Sequence, residues 1–111
     1  MDGQQARRSA ENEALFRSVN QRLVALNEAF APLDELSVFV CECSRMDCIE
    51  QVEMTLAEYA RVRSNPRWFA VAPAAEHVAA GLERVLERTE RYFLVEKIGA
   101  AAEIVEKLDS V

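Results

Sequence analysis

Residues 36–43 read Leu-Ser-Val-Phe-Val-Cys-Glu-Cys, and residues 49–54 read Ile-Glu-Gln-Val-Glu-Met. The first run is rich in β-branched and aromatic residues and predicts a strand. The second predicts its return partner, and Ser44-Arg45-Met46-Asp47 between them predicts a turn. Residues 37–54 therefore read as a β-hairpin, and two of the chain's three cysteines sit on its first strand.

Outward from the hairpin, helices flank it on both sides. Thr55-Leu56-Ala57-Glu58 is a capping box, in which Thr55 caps the amide at position 58 and Glu58 reaches back. It predicts a helix over about 56–64, with Leu56, Tyr59 and Val62 inward, ending before Asn65-Pro66. Trp68-Phe69-Ala70-Val71 predicts a short strand stopped near Pro73. Residues 83–88 and 92–97 predict a second antiparallel strand pair, with Thr89-Glu90-Arg91 at the turn. A helix through 74–90 is the rival reading, because Ala74 to Arg91 has helical composition. Gly99 breaks the chain, and Ala100–Leu108 predicts a short terminal helix carrying Ile104, Val105 and Leu108.

On the other side, Leu15, Phe16, Val19, Leu23, Leu26 and Phe30 recur at steps of three and four. They predict one apolar face of a helix over about 9–30, capped by Ser9 and stopped by Pro32. Residues 1–8 are polar and are expected to be a flexible N-terminus. The stripe is expected to pack on the chain's own sheet. The same spacing also suits a homodimer or a protein partner docking on this helix. The expectation is α+β: a long N-terminal helix, a cysteine-bearing hairpin, a short capped helix, a second antiparallel strand pair and a C-terminal helix, in a single domain over 9–111.

With 111 residues the chain has room for one ordinary domain. Half of it is apolar and 29% is charged, which is globular composition. No apolar run reaches the ~20 residues of a membrane span, and the start lacks a signal-peptide core, so no membrane association and a cytoplasmic location are expected. The net charge is −6. All of it falls in residues 31–60, where Asp34, Glu35, Glu42, Asp47, Glu50, Glu53 and Glu58 face Arg45 alone. That third repels polyanions, which argues against nucleic acid, and favours a bound cation.

Cys41, Cys43 and Cys48 form a C-x-C-x4-C cluster. On a strand, positions i and i+2 share a face, so Cys41 and Cys43 project together with Phe39. The turn brings Cys48 back beside them. His77 is the sole histidine. Three cysteines and one histidine match the ligand count of a structural Cys3His zinc site, with zinc the candidate cofactor. Buried thiols acting as small hydrophobes are the plain alternative. A thiol redox sensor is another, with Cys48 pairing to Cys41 or Cys43 and Arg45 lowering a thiol pKa. A disulfide framework is disfavoured by the odd count.

Asn12-Glu13-Ala14-Leu15-Phe16-Arg17 with Val19-Asn20-Gln21-Arg22 resembles the start of a group of small, uncharacterised actinobacterial proteins. Phe39-Val40-Cys41-Glu42-Cys43 with Cys48, Leu56-Ala57-Glu58-Tyr59 with Val62-Arg63, and Tyr92-Phe93-Leu94-Val95-Glu96-Lys97 are similar to the same group. The resemblance covers about residues 11–109. It implies a CxCx4C site completed by a histidine in a Pro-Gly-His-Glu-like turn, and it supports strands over 83–97. Here that turn reads Pro73-Ala74-Ala75-Glu76, so Ala75 stands at the histidine's place and His77, two residues on, is the candidate substitute.

Enzymatic signatures are missing. Gly3, Gly81 and Gly99 form no phosphate loop, and one histidine leaves a nucleophilic triad and a metal site competing for the same base. The expected function is a small non-enzymatic, zinc-binding interaction or regulatory module. The alternatives are the redox sensor and an enzyme with zinc as Lewis acid at an open position.

Overall fold

A computed structural model describes residues 3–28, 35–45 and 47–109. Its order is α1 (Gly3–Glu28), β1 (Leu36–Val40), β2 (Gln51–Thr55), α2 (Leu56–Arg63), β3 (Trp68–Val71), a single 3-10 turn (Ala75–His77), β4 (Glu83–Arg88), β5 (Phe93–Lys97) and α3 (Gly99–Asp109). The fold is α+β. β1 and β2 form a two-stranded antiparallel sheet, and the second sheet has the order β3-β5-β4, also antiparallel.

The hairpin registers Phe39 against Val52 and Ser37 against Met54, which puts these four residues on the inner face. Phe39 stacks on Tyr59 of α2 with ring centroids 4.7 Å apart. The Thr55–Glu58 capping box holds α2 at its start, and Leu56, Tyr59 and Val62 are its buried residues. In the second sheet, Phe69, Leu94 and Val95 complete the core, with Val105 of α3.

The region with two readings is resolved as strand. β4 pairs with β5, with a bulge between Val85 and Glu87, and Thr89 and Tyr92 close the turn through the Thr89 N–H to Tyr92 carbonyl bond of 2.9 Å. Helical composition loses to this pairing because β5, bonded to β3 along one edge, would otherwise leave its other edge unpaired.

The N-terminal helix differs from expectation in two ways. It begins at Gly3, so residues 3–8 are helical and Ser9 is an interior residue, not a cap. The Ser9 hydroxyl accepts from Lys97 Nζ at 2.7 Å and donates to Glu13 Oε1 at 3.2 Å. The buried face is also a different one. Leu15, Val19 and Leu26 are 48%, 39% and 62% exposed, whereas Ala6, Ser9, Ala10, Glu13, Arg17 and Asn20 are buried. Phe16 and Leu23 are half-buried, and Phe30 and Pro32 lie outside the described residues.

The reason is a demand for hydrogen bonds. Beneath α1 lie backbone carbonyls of the turn before β3 and of α3 that take side-chain donors. Arg17 donates to the Pro66 carbonyl at 2.9 Å and to the Val105 carbonyl at 3.4 Å, with its guanidinium over the Phe69 ring. Lys97 pairs with Glu13 and, at 3.2 Å, with Glu83, all three side chains being fully buried. Burial and the neighbouring Glu83 raise the Glu13 carboxyl well above its ordinary value, against the pull of Lys97.

Candidate metal centre

The first strand stops at Val40, three residues short of the expected 36–43. The Cys41 N–H still reaches the Glu50 carbonyl of the hairpin partner at 3.1 Å, but the next N–H, of Glu42, bonds the Ala70 carbonyl at 2.9 Å. The chain thus leaves one sheet and runs along the β3 edge of the other. The side chains strengthen this docking. The Glu42 carboxylate accepts from the Ala70 N–H at 3.0 Å, and the Cys41 sulfur accepts from the Ala72 N–H at 3.2 Å. The edge N–H groups at alternate residues are satisfied by a carboxylate and a sulfur in place of another strand.

Glu42 is the residue the sequence reading missed. It is fully buried. It accepts from the Tyr59 hydroxyl, from Asn20 Nδ2 at 2.9 Å and from Ala70. Burial raises its pKa, and these hydrogen bonds oppose the rise. Asn20 also bonds both backbone groups of Val40, at 2.9 and 2.8 Å, and Asn12 donates to the Ser44 carbonyl at 2.8 Å. The cysteine segment is therefore gripped by α1, α2 and β3 together. The available signal was an acid placed between two cysteines in an otherwise apolar run.

After Arg45, a turn closed by the Cys48 N–H to Arg45 carbonyl bond (3.2 Å) returns Cys48 to its fellows. His77 comes from the 3-10 turn behind β3, where its N–H bonds the Ala74 carbonyl at 3.1 Å. Cys41, Cys43, Cys48 and His77 present one ligand atom each, all within 4.8 Å of one another. His77 Nδ1 lies 3.6 Å from Cys41 Sγ and 3.7 Å from Cys48 Sγ.

These spacings can be compared with a coordination polyhedron. A tetrahedral ion with bonds of ~2.3 Å to sulfur and ~2.05 Å to nitrogen has sulfur–nitrogen edges of about 3.5 Å. The two sulfur–nitrogen distances fit that edge. On the far side of the ring, Nε2 lies 3.8 Å from the Glu76 carboxylate. A carboxylate there favours the tautomer that leaves Nδ1 free to ligate.

Three sulfurs this close cannot titrate independently. Cys43 is pulled down to about 5, first by the hydrogen bond from Cys41, with burial opposing and His77 assisting. Cys41 is pushed up, first by the same interaction with Cys43 and then by burial; burial also raises Cys48. Cys41, Cys43 and His77 are buried and Cys48 is half-buried.

All four residues expected at the site are brought together, and the group can hold a metal ion. Ala75 lies at the start of the 3-10 turn that delivers His77. Among the described residues no helix is long and apolar enough to cross a membrane. No protein-family model matches the chain, and no curated protein or solved structure is significantly similar to it.

Proposed function

We propose that Cys41, Cys43, Cys48 and His77 hold a structural zinc ion, and that the chain is a small non-enzymatic interaction or regulatory module stabilised by that metal. The convergence of four ligand atoms within 4.8 Å, from the hairpin loop and from the turn behind β3, carries the reading. Three thiolates and an imidazole are the donor set of closed zinc sites, in which no position is left for a substrate. The ion would tie the loop between the two sheets to the turn at His77, adding stability that a core of this size lacks. The outward-facing Leu15, Val19 and Leu26 support an interaction role for α1, with a protein partner or a second copy.

Elemental analysis of protein purified without an affinity tag is expected to give about one zinc per chain, with melting lowered by a strong chelator. His77→Ala is expected to bind zinc more weakly while retaining three thiolate ligands. Metal-free protein with unchanged melting would overturn the proposal. A thiol redox sensor without permanent metal is the second reading, favoured by the partial exposure of Cys48 beside two other sulfurs. It predicts metal-free protein and a reversible disulfide under mild peroxide.

A further inference from the structure

The four ligand residues are not equally sheltered. Cys41, Cys43 and His77 are buried, and Cys48 is half-buried. Cys48 and His77 line a shallow surface recess with Arg45, Asp47, Ile49, Glu50 and Glu76. Asp47, Glu50 and Glu76 bring three carboxylates to the recess against the one guanidinium of Arg45. Ile49 beside them is 91% exposed, so the wall next to Cys48 is open to solvent. The other two sulfurs are held inside. Cys41 Sγ accepts the Ala72 N–H, and Cys43 Sγ faces the Arg45 carbonyl 4.0 Å away.

From this geometry we infer that Cys48 is the peroxide-reactive position of the cluster, that Cys43 resolves the oxidised form, and that the pair releases the metal when oxidised. The inference rests on the zinc reading above.

The chemistry balances with a hydroperoxide as the oxidant. The Cys48 thiolate attacks one peroxide oxygen: an S–O bond forms, the O–O bond breaks and hydroxide leaves. Sulfur loses two electrons and the peroxide gains them. The Cys43 thiolate then attacks the Cys48 sulfur, forming the S–S bond and expelling a second hydroxide. Two thiolates and one hydrogen peroxide give one disulfide and two hydroxides. The metal loses two of its four ligands and passes to an acceptor. Both inner sulfurs lie within 4.8 Å of the Cys48 sulfur, and Cys43 is the resolving residue because the Cys41 sulfur is held in place by the Ala72 N–H.

The recess also selects the oxidant. An excess of carboxylates repels anions and leaves a neutral molecule unaffected. Hydrogen peroxide is neutral, whereas oxidised glutathione is an anion. The site therefore answers to peroxide and discriminates against glutathione disulfide.

The test uses the full chain, loaded with one equivalent of zinc and checked by elemental analysis. A chromogenic zinc indicator follows release, dimedone traps sulfenic acid, and peptide mapping locates adducts and disulfides. Hydrogen peroxide is expected to release the zinc and leave a Cys43–Cys48 disulfide. In Cys43→Ser the dimedone adduct is expected to accumulate on Cys48. Oxidised glutathione is expected to act about ten-fold more slowly at low salt, and the gap to narrow at high salt or in the Asp47→Asn, Glu50→Gln double variant. A first adduct on Cys41 or Cys43, a Cys41–Cys43 disulfide, or equal rates with the two oxidants would overturn the inference and leave the zinc reading standing. A chain that takes up no zinc would overturn both.

Discussion

Replacing Asn20 by alanine tests whether α1 is held by its polar face. Asn20 is fully buried. Its side chain makes two bonds to the backbone of Val40, at 2.9 and 2.8 Å, and one to the Glu42 carboxylate, at 2.9 Å. Neutral bonds contribute about 1 kcal/mol each and a bond to a charged acceptor about 2 kcal/mol, so their loss sums to roughly 4 kcal/mol. Val40 is only partly buried, and water reaching it would lower the cost to about 3 kcal/mol. Unfolding entropy scales with chain length at about 2.1 cal/mol/K per residue, which makes 3–4 kcal/mol a fall of about 15 °C in the melting midpoint of this chain. The control is Leu26→Ala on the same helix. Leu26 is 62% exposed, and its truncation is expected to change stability by less than about 0.5 kcal/mol. Denaturant and thermal unfolding of both variants, in one metal state, decide the matter. A cost below about 1 kcal/mol for Asn20→Ala, or a larger cost for Leu26→Ala, would refute the polar-face account.

Three further outcomes are expected. Glu58 is held at about 2, first by its paired hydrogen bonds from Arg91, with burial opposing and the Thr55 N–H assisting. A depressed carboxyl contributes stability above its unfolded value and loses it as pH falls through the folded one; allowing for solvent screening, Glu58→Gln should cost about 1–2 kcal/mol near neutrality, and the gap should narrow below the unfolded value and close only as pH falls to about 2. A gap unchanged in acid would count against this. Glu13 is displaced the other way, by burial and Glu83, so its contribution is present at low pH and lost as pH rises through the folded value. Glu13→Gln should therefore gain on the wild type in unfolding experiments as pH rises, and a loss would show that Glu13 is ionised beside Lys97. Gly99 has φ of +63° with nothing within 4 Å of an added Cβ, so Gly99→Ala should cost about 1–2 kcal/mol through backbone strain alone, and a neutral result would contradict it.

The hairpin, the α2 capping box and the β4–β5 pair were legible because each rests on local signals: β-branched runs, a Thr-x-x-Glu spacing and a turn between two strand-like segments. The cluster of four residues that could hold a metal was legible by counting, since three cysteines within eight positions and a sole histidine leave few combinations. Two features were not legible. Periodicity assigned the stripe of Leu15, Val19 and Leu26 to the core, because an apolar face ordinarily goes inward. The inward face is instead set by carbonyls at Val40, Pro66 and Val105 that need donors from Asn20 and Arg17, and such needs exist only once the strands and α3 have been placed. Likewise Glu42 read as one acid among seven in an acidic third of the chain. Its role depends on Tyr59, Asn20 and Ala70, which are distant in sequence and meet only in the fold.

X-ray absorption at the zinc edge, on untagged protein, measures the proposed ligand set itself. A shell of three sulfurs at ~2.3 Å and one nitrogen at ~2.0–2.1 Å is expected, with the nitrogen lost in His77→Ala and one sulfur lost in Cys48→Ser. A shell of nitrogen and oxygen alone, or a spectrum unchanged in both variants, would contradict a Cys41–Cys43–Cys48–His77 zinc centre.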